Sequence, residues 1–422
     1  MASCDTGRMG PYKRVQFVGY AIPSIPYTIA DIGDGPGFIE GRYTGIDPAA
    51  ADIEARIGLV MRTVRKTMAC GAVDDSPSTL KIFVTPEFLF RGTRGAYPNR
   101  PPELDYFSEF RRRFAKRVAR PEYEDWLFVV GTIVNTVGYV KGDDPRLDLE
   151  ARVREELAVA IADVWQYANT HHDVRLASFI TCVLHLYTSY CHDHPTYQVT
   201  DKCYVVAGGA PDADYPEGLS IEKKFMSNED FILNLQTNAY SEEQVGYPPI
   251  NEHAGENKTE AFDPLSIFTI KGIKFGLEVC LDHLAGRLRR NRLPQTELVQ
   301  IHLVPSCGVQ VVQQSVIACS GGLIFNCDGE YSQLMLMAPP GAARSIWTGA
   351  ASQRAHTQLT QVVAPCGPVN QKKDAELRKP RAKVHTLSIR DRAASKLFAY
   401  GAGEVHIYTP LAVPPPPHLT AS

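Results

Sequence analysis

The stretch Trp126–Val134, WLFVVGTIV, is apolar almost without interruption. A strand with one face in water alternates apolar and polar residues. A continuous run needs cover on both faces, which layered α/β folds provide. Shorter apolar runs recur at Arg14–Ile22, Leu80–Thr85, Cys203–Ala207, Leu298–Val304 and Leu323–Asn326, and Glu404–Tyr408 reads as a last strand. Gly218–Met226 also reads as a strand. Leu265–Cys280 reads as a hairpin, with Lys271-Gly272 as the turn and Ile273, Phe275, Leu277 and Val279 alternating after it. Helical spacing of Ile53, Ile57, Val60 and Val64 predicts a helix from about Pro48 to Ala69, with Asp47 as its N-cap. A second helix, basic along one side, is predicted from Glu103 to Arg120.

With no internal repeat and no long linker, the expectation is one α/β domain over 1–422. The rhythm breaks at about 138–200, which reads as an insertion: Leu147–Ala168 has helical spacing and Leu176–Tyr190 is apolar and aromatic. Lys372–Lys383 reads as a charged loop, and a Pro-rich tail runs from about 410 to 422. A net charge of −3 gives no general case for nucleic acid or an anionic membrane as partner. No run approaches the roughly 20 apolar residues that span a bilayer. Ten cysteines without paired spacing, behind an N-terminus lacking an apolar core, read as reduced thiols in a cytoplasmic protein.

Three reactive residues stand at the ends of predicted buried strands, where α/β folds place their sites. They are Glu87 in Thr85-Pro86-Glu87-Phe88, Lys223 in Ile221-Glu222-Lys223-Lys224-Phe225, and Cys280 in Glu278-Val279-Cys280-Leu281-Asp282. Together a carboxylate, an ammonium and a thiol can hydrolyse an amide. The thiol attacks, the carboxylate carries the proton, and the ammonium stabilises the oxyanion. The backbone N–H of Leu281 is the expected second oxyanion donor. Ile221, Lys223 and Phe225 share one face of a strand, which favours Lys223 over Lys224.

The order Glu, Lys, Cys on separate strands resembles the nitrilase (carbon–nitrogen hydrolase) superfamily. Pro86-Glu87, Gly131-Thr132, Lys223 to Ser227, Cys280-Leu281-Asp282 and Leu303-Val304-Pro305-Ser306 carry the likeness. It covers about 15–137, 203–330 and the closing strand near 404–413. Asp282 at that position is more like the amidase and carbamoylase members than true nitrilases. The resemblance implies a four-layer α-β-β-α sandwich, a homodimer or higher oligomer, and hydrolysis of a small amide or carbamoyl compound through a thioester. It implies no metal or organic cofactor. Nitrile hydrolysis and acyl transfer to an amine use the same residues and stay open, as does a non-catalytic protein on the same fold. The resemblance also implies a second active-site glutamate near the nucleophile, whose position is not assigned because the insertion falls where it would lie. The insertion is longer than the usual connection and is expected to border the pocket or a subunit interface.

Other features have plainer readings. Each of the three residues taken alone would be ordinary: a solvated strand-end glutamate, a surface lysine, a buried thiol. His283 lies too close after Cys280 in sequence to act as its base, and is expected on a loop near the pocket. Glu278 either contacts the site or faces a helix layer and pairs with a basic residue. Cys182, His185, Cys191 and His194 form two C-x-x-H units, but the gap between them is short for zinc and their neighbours read as core. Cys307, Cys319 and Cys327 read as structural. The arginines and lysines of 111–120 read as a solvated helix face, and the two Gly-Gly pairs, at 208 and 321, lack the helix that a phosphate loop requires.

Overall fold

A computed structural model describes residues 12–25, 28–31, 39–93, 95–99, 105–138, 197–224, 245–246, 266–290, 298–330, 355–367 and 373–417, with isolated positions between 160 and 179. Its core is two mixed sheets laid face to face. In the first sheet, β1 (Arg14–Ala21), β2 (Thr79–Val84) and β3 (Trp126–Gly138) are parallel neighbours. β4 (Tyr197–Ala207) and β5 (Leu219–Glu222) extend it antiparallel beyond β3. In the second sheet, β6 (Ile267–Ile270) turns antiparallel into β7 (Ile273–Leu277), which runs parallel to β8 (Val299–Ser306) and then β9 (Ala318–Asp328). β10 (His356–Ala364) and β11 (Glu376–Arg378) close that sheet antiparallel. β12 (Val384–Ser388) and β13 (Glu404–Tyr408) return to the first sheet on the free side of β1.

Side-chain alternation explains this layering. Val15 and Phe17 of β1, Leu80 and Ile82 of β2, and Leu127 and Val129 of β3 point into one cluster with Phe275, Ile301, Leu303, Leu323 and Phe325 of the second sheet. The alternate residues Val18, Tyr20, Phe83, Phe128 and Val130 pack under α1 (Ala49–Ala69) and α2 (Tyr106–Val118). That explains the unbroken apolar run in β3: it is sandwiched between helices and the other sheet. The outer face of the second sheet packs Val304 and Ile324 against Leu288, Val311 and Val316. Among the described residues its helical cover is short: α3 (Leu281–Ala285), α4 (Arg287–Arg290) and a single turn at 313–315.

Several boundaries differ from expectation. Pro48, not Asp47, caps α1, and no side chain bonds its first turn. Asp105 caps α2 through Phe107 N–H and Ser108 N–H, so that helix starts later than predicted. The hairpin turn is as read, with Lys271 and Gly272 both at positive φ (55° and 77°), the pairing that a two-residue turn requires. The charged loop contains β11, and Leu411–Ala412 adds a short strand beside β1 after the expected last one. Several α2 arginines are paired: Arg113 and Arg117 reach Glu54 of α1. Most of the insertion and the two C-x-x-H units lie outside the described residues. No helix among the described residues is long and apolar enough to cross a membrane.

Candidate active site

β2 ends at Val84, and the chain turns through Pro86 to Glu87. The turn is held against β3 by Thr85 Oγ1, which accepts from the Gly131 N–H at 2.5 Å, and by Thr132 Oγ1, which accepts from the Phe88 N–H at 2.9 Å. A Cβ on Gly131 would lie 1.7 Å from the Pro86 carbonyl oxygen, so only glycine permits this approach. Across the sheets, the Glu87 N–H donates to the Ser306 carbonyl at 3.2 Å. The carboxylate therefore sits between β2, β3 and the end of β8.

Lys223 follows β5 directly, its N–H donating to the Asp201 carbonyl at 2.9 Å. Its side chain is buried, and Nζ lies 2.8 Å from Glu87 Oε1. The same ammonium stands 5.5 Å from the centre of the Phe88 ring. Lys224 turns the other way, partly exposed, with Nζ 3.6 Å from Glu222. The two lysines point to opposite sides even though the strand ends at Glu222, before them.

Past β7, Glu278 N–H and Cys280 N–H continue the parallel ladder, donating to the Leu303 and Pro305 carbonyls. Cys280 then adopts φ 45°, ψ −106°, a conformation L side chains avoid, at a cost of about 1–3 kcal/mol. Its carbonyl accepts from His283 and Leu284 N–H, so α3 begins at once. Leu281 occupies the first position of that helix, where an N–H has no intrahelical acceptor. Asp282 ties this turn to the lysine segment: its carboxylate accepts from the Lys224 N–H at 3.0 Å and lies 2.9 Å from Arg287 Nε.

Glu87, Lys223 and Cys280 thus meet in the interior, from three separate strand ends. Burial pushes the Cys280 thiol well above its ordinary pKa, and the Glu87 carboxylate within hydrogen-bonding reach adds to this, while Lys223 pulls it back. Sγ also lies 3.6 Å from the Cys307 carbonyl oxygen. Cys203 makes a useful contrast. It is buried and also feels Glu87, but its other charged neighbour is Asp201, a second carboxylate and not an ammonium. Cys319 and Cys327 are buried in β9, and Cys307 just past β8, as expected of structural thiols.

One residue, His283, is placed differently from expectation. His283 is in α3, fully buried, and not on a loop. Its Nδ1 meets Glu278 Oε2 at 2.8 Å and its Nε2 accepts from the Val312 N–H at 3.0 Å, so neither nitrogen serves Cys280. Glu278 faces the outer side of the second sheet, the second of its two readings, and its partners are histidines. Sequence reasoning missed Asp328, at the end of β9. Burial pushes its carboxyl up to about 7 against hydrogen bonds from Gly308, Glu330 and Ser306. It braces the 306–308 turn beside Cys280, and only its position at a parallel strand end could have marked it.

No family model and no curated protein matches the chain. Among solved structures, a mutant amidase from Nesterenkonia sp. AN1, with the acetamide moiety of fluoroacetamide added covalently at its active-site cysteine, aligns over 88% of this chain and 89% of its own. The identity is 11% and the TM-score 0.28. At that TM-score the likeness carries no argument about this chain.

Proposed function

We propose that the chain is a cysteine-dependent hydrolase of a non-peptide C–N bond in a small amide or carbamoyl compound. The observation that carries this reading is the buried meeting of Glu87, Lys223 and the strained Cys280. Burying an ion pair beside a thiol costs free energy that a structural site would avoid by using apolar residues. The raised thiol pKa keeps Cys280 protonated at rest, so a neighbouring base is required, and Glu87 is the base in reach.

In this reaction Sγ attacks the carbonyl carbon as Glu87 takes the thiol proton. The tetrahedral oxyanion is stabilised by Lys223 and by the Leu281 N–H. Glu87 passes the proton to the departing nitrogen, the C–N bond breaks, and a thioester remains. Water then attacks the thioester, giving its proton to Glu87. The acid leaves and the proton returns to Cys280. The four-layer architecture belongs to the same proposal, supported by the two face-to-face sheets with α1 and α2 on the outer face of the first, and homo-oligomeric assembly is proposed with it.

The test is intact mass spectrometry of the protein with a panel of small amides, carbamoyl compounds and nitriles, beside Cys280→Ala. An adduct on the native protein that the variant lacks is expected, and its mass names the substrate class. An adduct that persists in Cys280→Ala, or turnover unchanged by the substitution, would overturn the proposal.

A further inference from the structure

A second buried polar group lies immediately behind Cys280. Glu278 Oε1 accepts from the Leu288 N–H at 2.7 Å. Oε2 meets His283 Nδ1 at 2.8 Å and His302 Nε2 at 3.1 Å. All three side chains are fully buried, and the two rings stand edge to face, 5.0 Å apart. The Val312 N–H can only donate, so His283 Nε2 must offer a lone pair and the ring proton sits on Nδ1, pointing at Glu278. Burial alone would raise the Glu278 carboxyl, but the hydrogen bonds from His283 and His302 bring it down to about 2.

The three ligand-type atoms lie within 4.8 Å of one another, close enough to hold a cation. The Val312 N–H argues against that use. A metal on His283 Nδ1 would force the proton to Nε2, donor against donor. Direct hydrogen bonds already engage both nitrogens of His283 and both oxygens of Glu278.

The group adds side-chain bonds between pieces that the backbone ladder already brings close. Glu278 is two residues before Cys280, His283 three after, and Leu288 eight after. His302 is in β8, and Val312 follows Cys307, whose carbonyl oxygen touches Sγ. Cys280 packs in the cluster between the sheets while Leu288 packs in the outer one, so the bonds span the strained turn. We infer that Glu278 is a positioning residue: with His283, His302 and the Leu288 N–H it holds the Cys280 backbone in its left-handed conformation and so aims the thiol at Glu87 and Lys223. This rests on the proposed role of Cys280 as nucleophile.

The deciding variant is Glu278→Gln in the full chain, which keeps the shape and removes the charge. Two readouts apply: kcat and KM on the substrate, and iodoacetamide alkylation of Cys280 across the thiol titration range, read by peptide mass spectrometry with the partly exposed Cys70 as internal reference. We expect kcat to fall on the order of 10²-fold with KM nearly unchanged. Cys280 alkylation slows and its pH profile moves, while Cys70 does not change. A lower melting temperature with native kcat and native alkylation of Cys280 would make Glu278 merely structural and end the inference. If Glu278→Gln loses its native melting transition, His302→Leu decides, because the His283 and Leu288 bonds survive in it. A smaller effect in the same direction is expected, and native alkylation overturns the idea. Stoichiometric metal in the native protein that His302→Leu releases would overturn it too. Cys280→Ala separates the two claims. If it turns over substrate like the native protein, the nucleophile reading has failed. If it is inactive while Glu278→Gln is fully active, only the positioning role has failed.

Discussion

Two ionisable groups are buried on opposite sides of one short turn, and they handle charge in opposite ways. Around Glu278 the His283 Nδ1–H and the Leu288 N–H point at the carboxylate, His302 Nε2 stands 3.1 Å away, and the result is an anion at rest. Around Cys280 the same depth of burial leaves a thiol pushed up, opposed by Lys223 and the Cys307 backbone. The first group spends its hydrogen bonds on holding shape. The second holds its proton firmly, with Glu87 as the neighbouring carboxylate that can take it. Burial alone therefore does not mark a reactive group. The number and direction of the donors facing it do.

The sharpest way to break this contrast is Cys280→Ala, which should lower kcat on the order of 10⁶-fold, as removal of a nucleophile does, while circular dichroism and melting stay native. Glu87→Gln comes next. It should lower kcat about 10²–10⁴-fold through loss of the acid–base step. The thiol should respond in the reverse direction. Glu87 helps to raise the Cys280 pKa, so its neutral replacement should let iodoacetamide label Cys280 at lower pH than in the native protein. Slower turnover with a more acidic thiol distinguishes a lost base from a collapsed site. Gly131→Ala tests the scaffold: its Cβ meets the Pro86 carbonyl, and denaturant unfolding should show a loss of about 3 kcal/mol together with slowed turnover.

Acid titration sharpens the other half of the contrast. The folded pKa of Glu278 is depressed to about 2, below the unfolded glutamate value near 4.3. Its contribution is complete above the unfolded value and is lost as pH falls toward about 2. Burial also lowers His302 from 6.5, so its contribution starts to fall earlier, as pH drops below 6.5. Glu278→Gln should flatten the acid side of the stability curve measured by urea unfolding. Asp328 has the opposite sign: its stabilising neutral form is lost as pH rises through about 7. The smallest effect belongs to Lys224→Met, within about 0.5 kcal/mol on stability because its ion pair is partly exposed and long, at 3.6 Å. Lys223→Met, which leaves Glu87 without its buried cation, should cost about 3–5 kcal/mol.

Much of this was legible in the chain. Strand-end placement singled out Glu87, Lys223 and Cys280, whose side chains lie together, and period-two geometry put Lys223 and Lys224 on opposite faces, because both depend on local spacing. What escaped has a common cause. β10 was missed because His356, Thr357, Gln358 and Thr360 are buried polar residues, and a buried polar strand shows no apolar pattern. Thr357 is accommodated by His406 and Tyr408 of β13, far along the chain. The Glu278 group escaped for the same reason: His302 sits within a run that reads as plain buried strand, and its meaning appears only when β8 is laid beside β7. Polar pairs across sheets depend on register, which spacing within one segment does not encode.

The position of β1 has a consequence for how the chain is made. β1 lies in the interior of its sheet, yet one neighbour, β2, is read early by the ribosome and the other, β13, comes only at 404–408. Until those residues emerge, the flank of β1 is an unpaired edge that can recruit another chain. A nascent polypeptide of this sequence therefore carries an open seam through most of its synthesis. Its solubility during that interval depends on how soon the last strands arrive.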